Sequence, residues 1–289
     1  MTDELANLLA STADKVERWA SLEVWTPESG SPGDSELRNA ESGPAGVWGE
    51  RPVRSTFAHS QMAVNAVVQH ARAVATLIDP PRTSLALDVL ARGALEASAI
   101  AWWLLEPKLG ARRRVCRMQL LRVNSARELA KAIAEAGADP ALIGGETVAD
   151  VQKYSADLGI GAFADVGSVG NAQCEGEVRP GYTKRVKDLT DDWGFDGAYS
   201  IYSGMAHAEL YGFWRMYKPI ASDLASKQTI HSIGPDDTAT FAAANATLLA
   251  LIAPMERAQM IFGWPAPGTS EEIGATIDSV NEALARLHP

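Results

Sequence analysis

Apolar and polar positions follow helical spacing over most of the chain. In residues 3–22, for example, apolar side chains recur three and four positions apart. The same spacing predicts helices over residues 3–22, 55–78, 84–106, 111–136, 146–158, 182–193, 199–217, 236–262 and 269–287. Proline or glycine ends most of these segments, and Pro254 should kink the helix that contains it.

Two stretches lack this periodicity. Residues 26–52 are rich in Pro, Gly, Ser and Glu, and residues 159–181 are rich in Gly, so both are predicted to be long loops. No segment has a convincing strand pattern, and no repeat or linker divides the chain. We therefore expect a single all-α domain over residues 1–289, a multi-helix bundle of about seven to nine helices. Its core should span about residues 55–262, with an N-terminal helix and loop at 1–54 and a C-terminal helix at 269–287.

Composition and charge narrow the class of protein. The chain has 289 residues, 46% of them hydrophobic, and only two cysteines, which is typical of a globular protein in a reducing compartment. Its first residues are acidic where a secretory signal would be basic, and its apolar stretches fall short of the roughly 20 residues that span a membrane. We expect a cytoplasmic protein without a membrane segment.

Charge is spread unevenly along the chain. The net charge is −10, yet residues 108–131 hold eight Lys or Arg and one acid. This basic run is either the solvated face of a helix or a surface for an anionic partner such as RNA, and the sequence leaves both interpretations open.

Residues 84–106 are apolar in almost every direction of the helix, which predicts a central helix. Asp88, Arg92 and Glu96 interrupt this pattern as one stripe four residues apart, and Trp103 continues roughly the same line. The stripe is either a solvated edge or a polar site inside the bundle. In the next long helix, Arg122 falls within the apolar face, so it either reaches to the edge of the bundle or points into the same polar site.

The segment 199–217, YSIYSGMAHAELYGFWRMY, sets one histidine among aromatic residues. On a helix, Ser203, His207 and Trp214 share a face, with Tyr211 at its margin, whereas Glu209 points away. Histidine is the side chain whose charge changes nearest to neutral pH, which makes His207 a candidate acid or base. A buried structural histidine remains the alternative. The sequence has no metal-binding motif, P-loop or nucleophile elbow, and we expect neither a metal nor a cofactor.

Two segments resemble a known family. LARGALEASAIAWWLL, at residues 90–105, resembles the R-x-x-x-E helix of DUF5677-type proteins, and more loosely these resemble HEPN-like helical domains. KRVKDLTDDWGFDGAYSIYSGMAH, at residues 184–207, resembles their later segment, which ends in Y-x-x-x-S-x-x-x-H. The motif positions are Arg92, Glu96, Tyr199, Ser203 and His207.

The resemblance implies a HEPN-like core and a function, since HEPN-like families include metal-independent RNases of toxin–antitoxin and phage-defence systems. In those RNases four to six residues separate an arginine from the histidine, whereas this chain has Ser200, Ile201 and Tyr202 at the positions where that arginine would fall. Arg92 or Arg122 would then have to supply the guanidinium from another helix. One literal match to that spacing, Arg54 followed by His59, lies outside the two segments.

The first functional hypothesis is an RNA- or nucleotide-processing protein. Its catalytic residues would be His207, Glu96 and Arg92, with His207 as general acid or base and the arginine stabilising a phosphate. The expected substrate-binding residues are Arg122, Ser203, Tyr199, Tyr211, Trp214 and Trp103, and residues 112–117 would bind RNA in a salt-dependent way.

Two alternatives stay open. In one, the protein is an enzyme that acts by acid/base chemistry on a small apolar molecule held by its tryptophans and tyrosines. In the other, it is a non-catalytic interaction module in which Arg92 and Glu96 form a structural ion pair. The sequence also leaves open whether the chain forms a homodimer.

Overall fold

A computed structural model describes residues 2–20, 25–41, 48–49, 51–78, 84–139, 144–161, 163–166, 171–194, 198–207, 217–223, 228–233, 237–264 and 275. Within these residues, the helices are α1 Thr2–Ala20, α2 Pro32–Glu41, α3 Arg51–Ile78, α4 Ser84–Leu104, α5 Ala111–Ala136, α6 Val148–Asp157, α7 Tyr182–Asp192, α8 Ala198–Ala206 and α9 Asp237–Phe262. The strands are β1 Ala164–Val166, β2 Asn171–Cys174, β3 Glu177–Val178, β4 Tyr217–Asp223 and β5 Gln228–Ile233. The expected all-α, multi-helix bundle is confirmed.

Helix α4 lies at the centre of the bundle. It packs most extensively against α3 and α9, and also contacts α5, α7 and α8. Ala91, Leu95 and Leu104 on different sides of α4 are fully buried, as its apolar sequence predicts. Asp88, the first residue of the charged stripe on this helix, is buried as well, so the stripe does not begin as a solvated edge. Because α4 contacts so many neighbours, side chains from several helices can converge on that stripe.

Local sequence signals set the ends of two helices as expected. α5 has the predicted bounds and ends at Gly137, whose φ of 61° is the left-handed conformation that glycine adopts without strain. α6 begins after Thr147, which forms a capping box with Asp150. α9 runs through Pro254, whose missing amide leaves the carbonyl one turn earlier without its usual donor.

The prediction that residues 26–52 form a loop is wrong, because α2 lies within them. This helix is short, and its place is fixed by distant contacts: Leu37 is buried in the core, and Glu36 forms an ion pair with Arg114, 78 residues later in the chain. A search for periodicity within a local window cannot detect such support.

The expectation that the chain lacks strands is also wrong, though the strands are few and short. β1, β2 and β3 form an antiparallel sheet within residues 159–181, and β2 and β3 are joined by a tight turn at Glu175 and Gly176, both with positive φ. The helix predicted over 199–217 ends at Ala206, and Tyr217 begins β4, which pairs with β5. Ser, Tyr and Gly are weak helix formers, so the apolar spacing overestimated the length of that helix.

One segment, Ala239–Phe262 of α9, has the length and composition of a membrane-crossing helix, contrary to the expectation that all apolar stretches are too short. Of its most apolar window, 83% is buried inside the fold, as is usual for the central helix of a bundle. The helix predicted over 269–287 lies outside the described residues apart from residue 275.

Candidate functional site

Arg92, Glu96, Tyr199 and His207 meet where α8 packs against α4, and we call this group the Arg92–His207 cluster. Arg92 Nε donates to Glu96 Oε1 at 2.8 Å, and Arg92 Nη1 lies 3.1 Å from His207 Nε2. The Tyr199 hydroxyl donates to the same Glu96 oxygen at 2.8 Å, and the Arg92 guanidinium lies 5.6 Å from the centre of the Tyr199 ring. Two segments about 100 residues apart thus form one hydrogen-bonded group.

The contact between Arg92 and His207 has a defined direction. A guanidinium has donors and no acceptor, so His207 Nε2 accepts this hydrogen bond with its lone pair. His207 is exposed, and the side chains of Arg92 and Glu96 retain 19% and 26% of their accessible surface. The cluster is therefore open to a ligand from solvent.

The charges within the cluster are stabilised by its own contacts. Burial tends to lower the pKa of Arg92, but the hydrogen bond and charge of Glu96 outweigh it and raise that pKa. Burial and the hydrogen bond to Glu96 both raise the pKa of Tyr199, which keeps its phenol protonated. The Arg92 cation of the cluster therefore contacts both the Glu96 carboxylate and the His207 ring.

His70 of α3 is a neighbour of the cluster that the sequence analysis did not identify. Its ring packs against Gly93, where a Cβ atom would lie only 2.8 Å from His70 Cε1. Burial lowers the pKa of His70, and the charge of Glu96 acts in the opposite direction. The glycine between Arg92 and Ala94 thus allows a second histidine to approach the charged stripe of α4, and this proximity depends on the packing of α3 on α4.

Arg122 does not join the cluster, which corrects one predicted binding residue. Its Nε donates to Glu146 at 2.9 Å, its Nη1 donates to Gln119 at 2.9 Å, and its guanidinium covers the ring of Tyr154 at 4.8 Å. These partners belong to α5, α6 and the loop before α6. Arg122 therefore stabilises the contact between α5 and α6 instead of pointing into the polar site.

The other predicted binding residues have separate places. Trp103 is buried beneath two guanidinium groups, those of Arg117 at 4.8 Å and Arg185 at 6.0 Å from its ring centre. Ser203 is half-buried one turn before His207, and its carbonyl accepts the His207 amide at 3.0 Å. The predictions for Tyr211 and Trp214 lie outside the described residues.

The basic run at the start of α5 is not a free cationic surface. Arg112 pairs with Glu175, Arg113 and Arg117 both pair with Glu177, and Arg114 pairs with Glu36. The hydrogen bond from Arg112 lowers the pKa of Glu175. Burial would raise the pKa of Glu177, but its two arginine partners outweigh burial and lower it. Carboxylates of the protein thus already neutralise these guanidinium groups. RNA binding by residues 112–117 stays a prediction, and it would have to displace these ion pairs.

An apolar groove of about 690 Å³ lies at a different place, between α5 and the segment that leads into α6. Ala126, Leu129, Ile133 and Gly145 are among its lining residues, and none of its lining residues belongs to the Arg92–His207 cluster. Across the described ranges, no group of three or more His, Cys, Asp or Glu side chains is placed to hold a metal ion.

Comparison with known proteins leaves the family of this chain open. No family model matches the chain, and searches of curated proteins and of solved structures gave no match either. The resemblance of residues 90–105 and 184–207 to DUF5677-type and HEPN-like proteins therefore stays a prediction, and the function has to be argued from the geometry of the cluster.

Proposed function

We propose that the protein is a HEPN-like, metal-independent enzyme that cleaves or modifies RNA or a nucleotide by acid/base chemistry at the Arg92–His207 cluster. The observation that carries this proposal is the 3.1 Å contact between Arg92 Nη1 and His207 Nε2. It sets a cation that can bind a phosphate beside an imidazole that can accept a proton.

The first step would be an exchange of hydrogen bonds. In the free protein Arg92 occupies the lone pair of His207 Nε2. A phosphate is a stronger acceptor for a guanidinium than a neutral imidazole is, because the bond is then assisted by opposite charges. Binding of the substrate phosphate would draw Arg92 Nη1 away and free His207 as a base.

RNA cleavage would then follow from the ribose hydroxyl next to the phosphate. His207 Nε2 takes the proton of that hydroxyl, and the oxygen attacks phosphorus to form a new P–O bond. The bond from phosphorus to the leaving 5′ oxygen breaks, and that oxygen takes a proton from water. The hydroxide that remains takes back the proton held by His207. The products are a cyclic phosphate and a free hydroxyl, and Arg92 stabilises the charge on the phosphate during the transfer.

Glu96 and Tyr199 are positioning residues in this proposal. Glu96 holds Arg92 Nε at 2.8 Å, so Nη1 is directed towards His207. The Tyr199 hydroxyl donates to the same Glu96 oxygen, and its ring lies under the Arg92 guanidinium. The ring restricts the movement of that guanidinium. Both contacts reduce the freedom that Arg92 would lose on binding the phosphate.

The alternative of an enzyme for a small apolar molecule has less support. It requires tryptophans of α4 to line a pocket, but the Trp102 ring lies 3.3 Å from the Arg257 guanidinium, and Trp103 lies beneath Arg117. Among the described residues, these rings therefore serve as platforms for arginines and do not form an apolar wall at the cluster.

The test uses the full-length protein and end-labelled single-stranded RNA in the presence of EDTA. We expect cleavage in EDTA. The rate should fall by about 100-fold or more in His207→Gln and in Arg92→Met, since general acid–base catalysis contributes at least that factor. Arg122→Met is the matched control, because it also removes a paired arginine but should keep the full rate. Detection of a cyclic phosphate at the new end identifies the ribose hydroxyl as the nucleophile.

Two results would contradict the proposal. One is cleavage that persists unchanged in His207→Gln. The other is a protein without activity on RNA or nucleotides in which Arg92→Met and Glu96→Gln only lower the melting temperature. That second result would instead favour the non-catalytic module with a structural ion pair.

A further inference from the structure

Among the described residues, two arginines near the start of α7 are buried without an ion-pair partner. Arg185 retains 2% of its accessible surface and Arg179 retains 8%. The Nε and Nη1 atoms of both side chains have no hydrogen-bond partner, and neither residue forms an ion pair within the described part of the chain. A buried guanidinium normally has a carboxylate or several carbonyl groups as acceptors, so this pair lacks the groups that would stabilise it.

The two charges also oppose each other. The pKa of Arg185 is lowered to about 10, first by burial and then by the positive charge of Arg179. The charge of Glu96 only partly offsets this effect, and that carboxylate already accepts hydrogen bonds from Arg92 and Tyr199. The arrangement is therefore unfavourable in the free protein and would become favourable if an anion lay between the two guanidinium groups.

The backbone adds a third source of positive potential. Gly181 is the N-cap of α7 and provides no side-chain cap, so the first amides of this 11-residue helix are left for another acceptor. Arg179 lies two residues before this N-cap, and Arg185 lies in the first turns after it. Both guanidinium groups face the ring of Tyr182, the first residue of the helix, at 6.0 and 4.9 Å from its centre.

We propose that Arg179, Arg185 and the N-terminus of α7 form an oxyanion-binding site that takes a phosphate group. Two guanidinium groups present pairs of parallel N–H donors, and the helix start adds backbone donors and its dipole. A phosphate has enough oxygen atoms to accept from all of them, and up to two negative charges to balance two arginines. A carboxylate has only two oxygens and one charge.

The site adjoins the Arg92–His207 cluster. The charge of Glu96 acts on Arg185, and Trp103 of α4 lies against it. If the proposed function holds, this site would bind a phosphate of the RNA next to the one that reacts. This identification of the bound phosphate rests on the proposed function. Phosphate binding itself needs only the two arginines and the helix start, so it is measured without an activity assay.

The experiment measures binding of inorganic phosphate to the full-length protein by calorimetry and by the rise in melting temperature, against chloride at the same ionic strength. Arg179→Met and Arg185→Met keep the apolar stem and remove the charge. We expect each to weaken phosphate binding about tenfold or more, the factor that one charged hydrogen-bond group supplies. Arg122→Met is the control, because it removes a paired arginine elsewhere in the fold and should bind phosphate like the wild type.

The stability of the protein without phosphate provides a second measurement. An ordinary substitution in the core lowers stability, whereas Arg185→Met is not expected to lower it. Because Arg185→Met removes an uncompensated buried charge, it should unfold in urea at the same concentration as the wild type or a higher one. If the variant fails to fold or is less stable, Arg185 has a structural partner and the proposal is wrong. Equal phosphate binding by the wild type and both arginine variants would also overturn it.

Three probes distinguish the source of the phosphate. Inorganic phosphate alone, adenosine monophosphate and a short single-stranded RNA are compared with each arginine variant. A larger loss for the nucleotide or RNA than for inorganic phosphate would show that the site recognises a phosphate carried by a nucleic acid. Loss of phosphate binding in Arg185→Met, together with an inactive wild type, would support this site while contradicting the proposed catalytic function.

Discussion

The arginines of α5 and those at the start of α7 are buried to a similar extent but face different groups. Arg114 is fully buried, and its guanidinium donates to both oxygens of Glu36 at 2.8 Å. Arg117 retains 12% of its side-chain surface and donates to Glu177 at 2.8 Å. Arg179 and Arg185 have no such carboxylate among the described residues.

The difference separates structural arginines from candidate binding ones. A buried guanidinium whose donors are held by a carboxylate, as in Arg114, cannot accept a new anion without breaking that ion pair, whereas one without such a carboxylate gains stability from an anion. The arginines at the start of the basic run of residues 108–131 are paired with carboxylates of the protein. In the proposed oxyanion site the anion is bound instead by Arg179 and Arg185, which lie outside this run.

The largest expected effect is that of removing Arg114, one of the paired arginines of α5. Arg114→Met should lower the free energy of unfolding by about 3–5 kcal/mol, because Glu36 is then buried without a cation. Urea unfolding followed by circular dichroism measures it. The double variant Arg114→Met/Glu36→Gln should recover much of the loss, and a single-variant loss below about 1 kcal/mol would show that the pair is not structural.

Glu177→Gln should have the next largest effect, since it leaves Arg113 and Arg117 as poorly compensated as Arg179 and Arg185. We expect a loss of about 1–3 kcal/mol at pH 7, the range for hydrogen bonds to charged groups. The same urea experiment measures it, and Lys131→Gln, which removes an exposed ion pair with Glu135, serves as a control with little change. Equal losses in the two variants would contradict the structural role of Glu177.

The pH dependence of stability should reveal the same carboxylate. The pKa of Glu177 is lower in the folded protein than its ordinary value of 4.5, so its contribution is fully present above that value and is lost as pH falls through the folded pKa. We expect the wild type to lose stability more steeply than Glu177→Gln as the solution is acidified below about pH 4.5. Parallel curves of the melting temperature against pH would show that Glu177 is not responsible.

Alkaline pH tests Arg185, which has no ion-pair partner among the described residues, and the expected change in stability is smaller. The pKa of Arg185 is lowered to about 10 in the folded protein from an ordinary value of 12.5. Its burial therefore destabilises the fold below that pKa, and the penalty decreases as pH rises through it. Any stability advantage of Arg185→Met should shrink by about 1 kcal/mol between pH 8 and about pH 10.5. An advantage that is independent of pH would show that burial does not lower the pKa of Arg185.

The smallest expected effect is that of Arg122→Met on RNA cleavage. Because Arg122 is held by Glu146 and Gln119, we expect a rate within about twofold of the wild type and a modest loss of stability, on the order of 1 kcal/mol. A large loss of activity with intact folding would place Arg122 in the active site, contrary to its position in the structure.

The sequence predicted most of the helices because their signals are local. The apolar pattern of α4, the spacing in α5 and the proline and glycine at helix ends act over a few turns. It failed for α2 and for the sheet of β1, β2 and β3. These elements are short, and they are held in place by contacts such as Glu36 with Arg114, which no local window contains.

The candidate site was predicted only in part, for a related reason. Arg92 and Glu96 were paired by their spacing on one helix, and the family resemblance linked them to Tyr199 and His207, which the fold indeed brings together. His70 and Arg185 carried no sequence signal, because their positions depend on how α3 and α7 pack against α4. Arg122 was misassigned because a helical wheel shows its direction but not the carboxylate that meets it.

The amino-acid sequence by itself thus determined an all-α bundle with a central apolar helix, and it brought Arg92 and Glu96 onto one face of that helix. The tertiary structure alone decided which charges are paired. Ion pairing depends on distances of a few ångströms between residues far apart in the chain, and electrostatic energy changes steeply over such distances in a medium of low dielectric constant. For that reason two kinds of arginine look alike in the sequence and differ only in the fold. The arginines at the start of α5 are paired with carboxylates, whereas Arg179 and Arg185 have no such partner among the described residues.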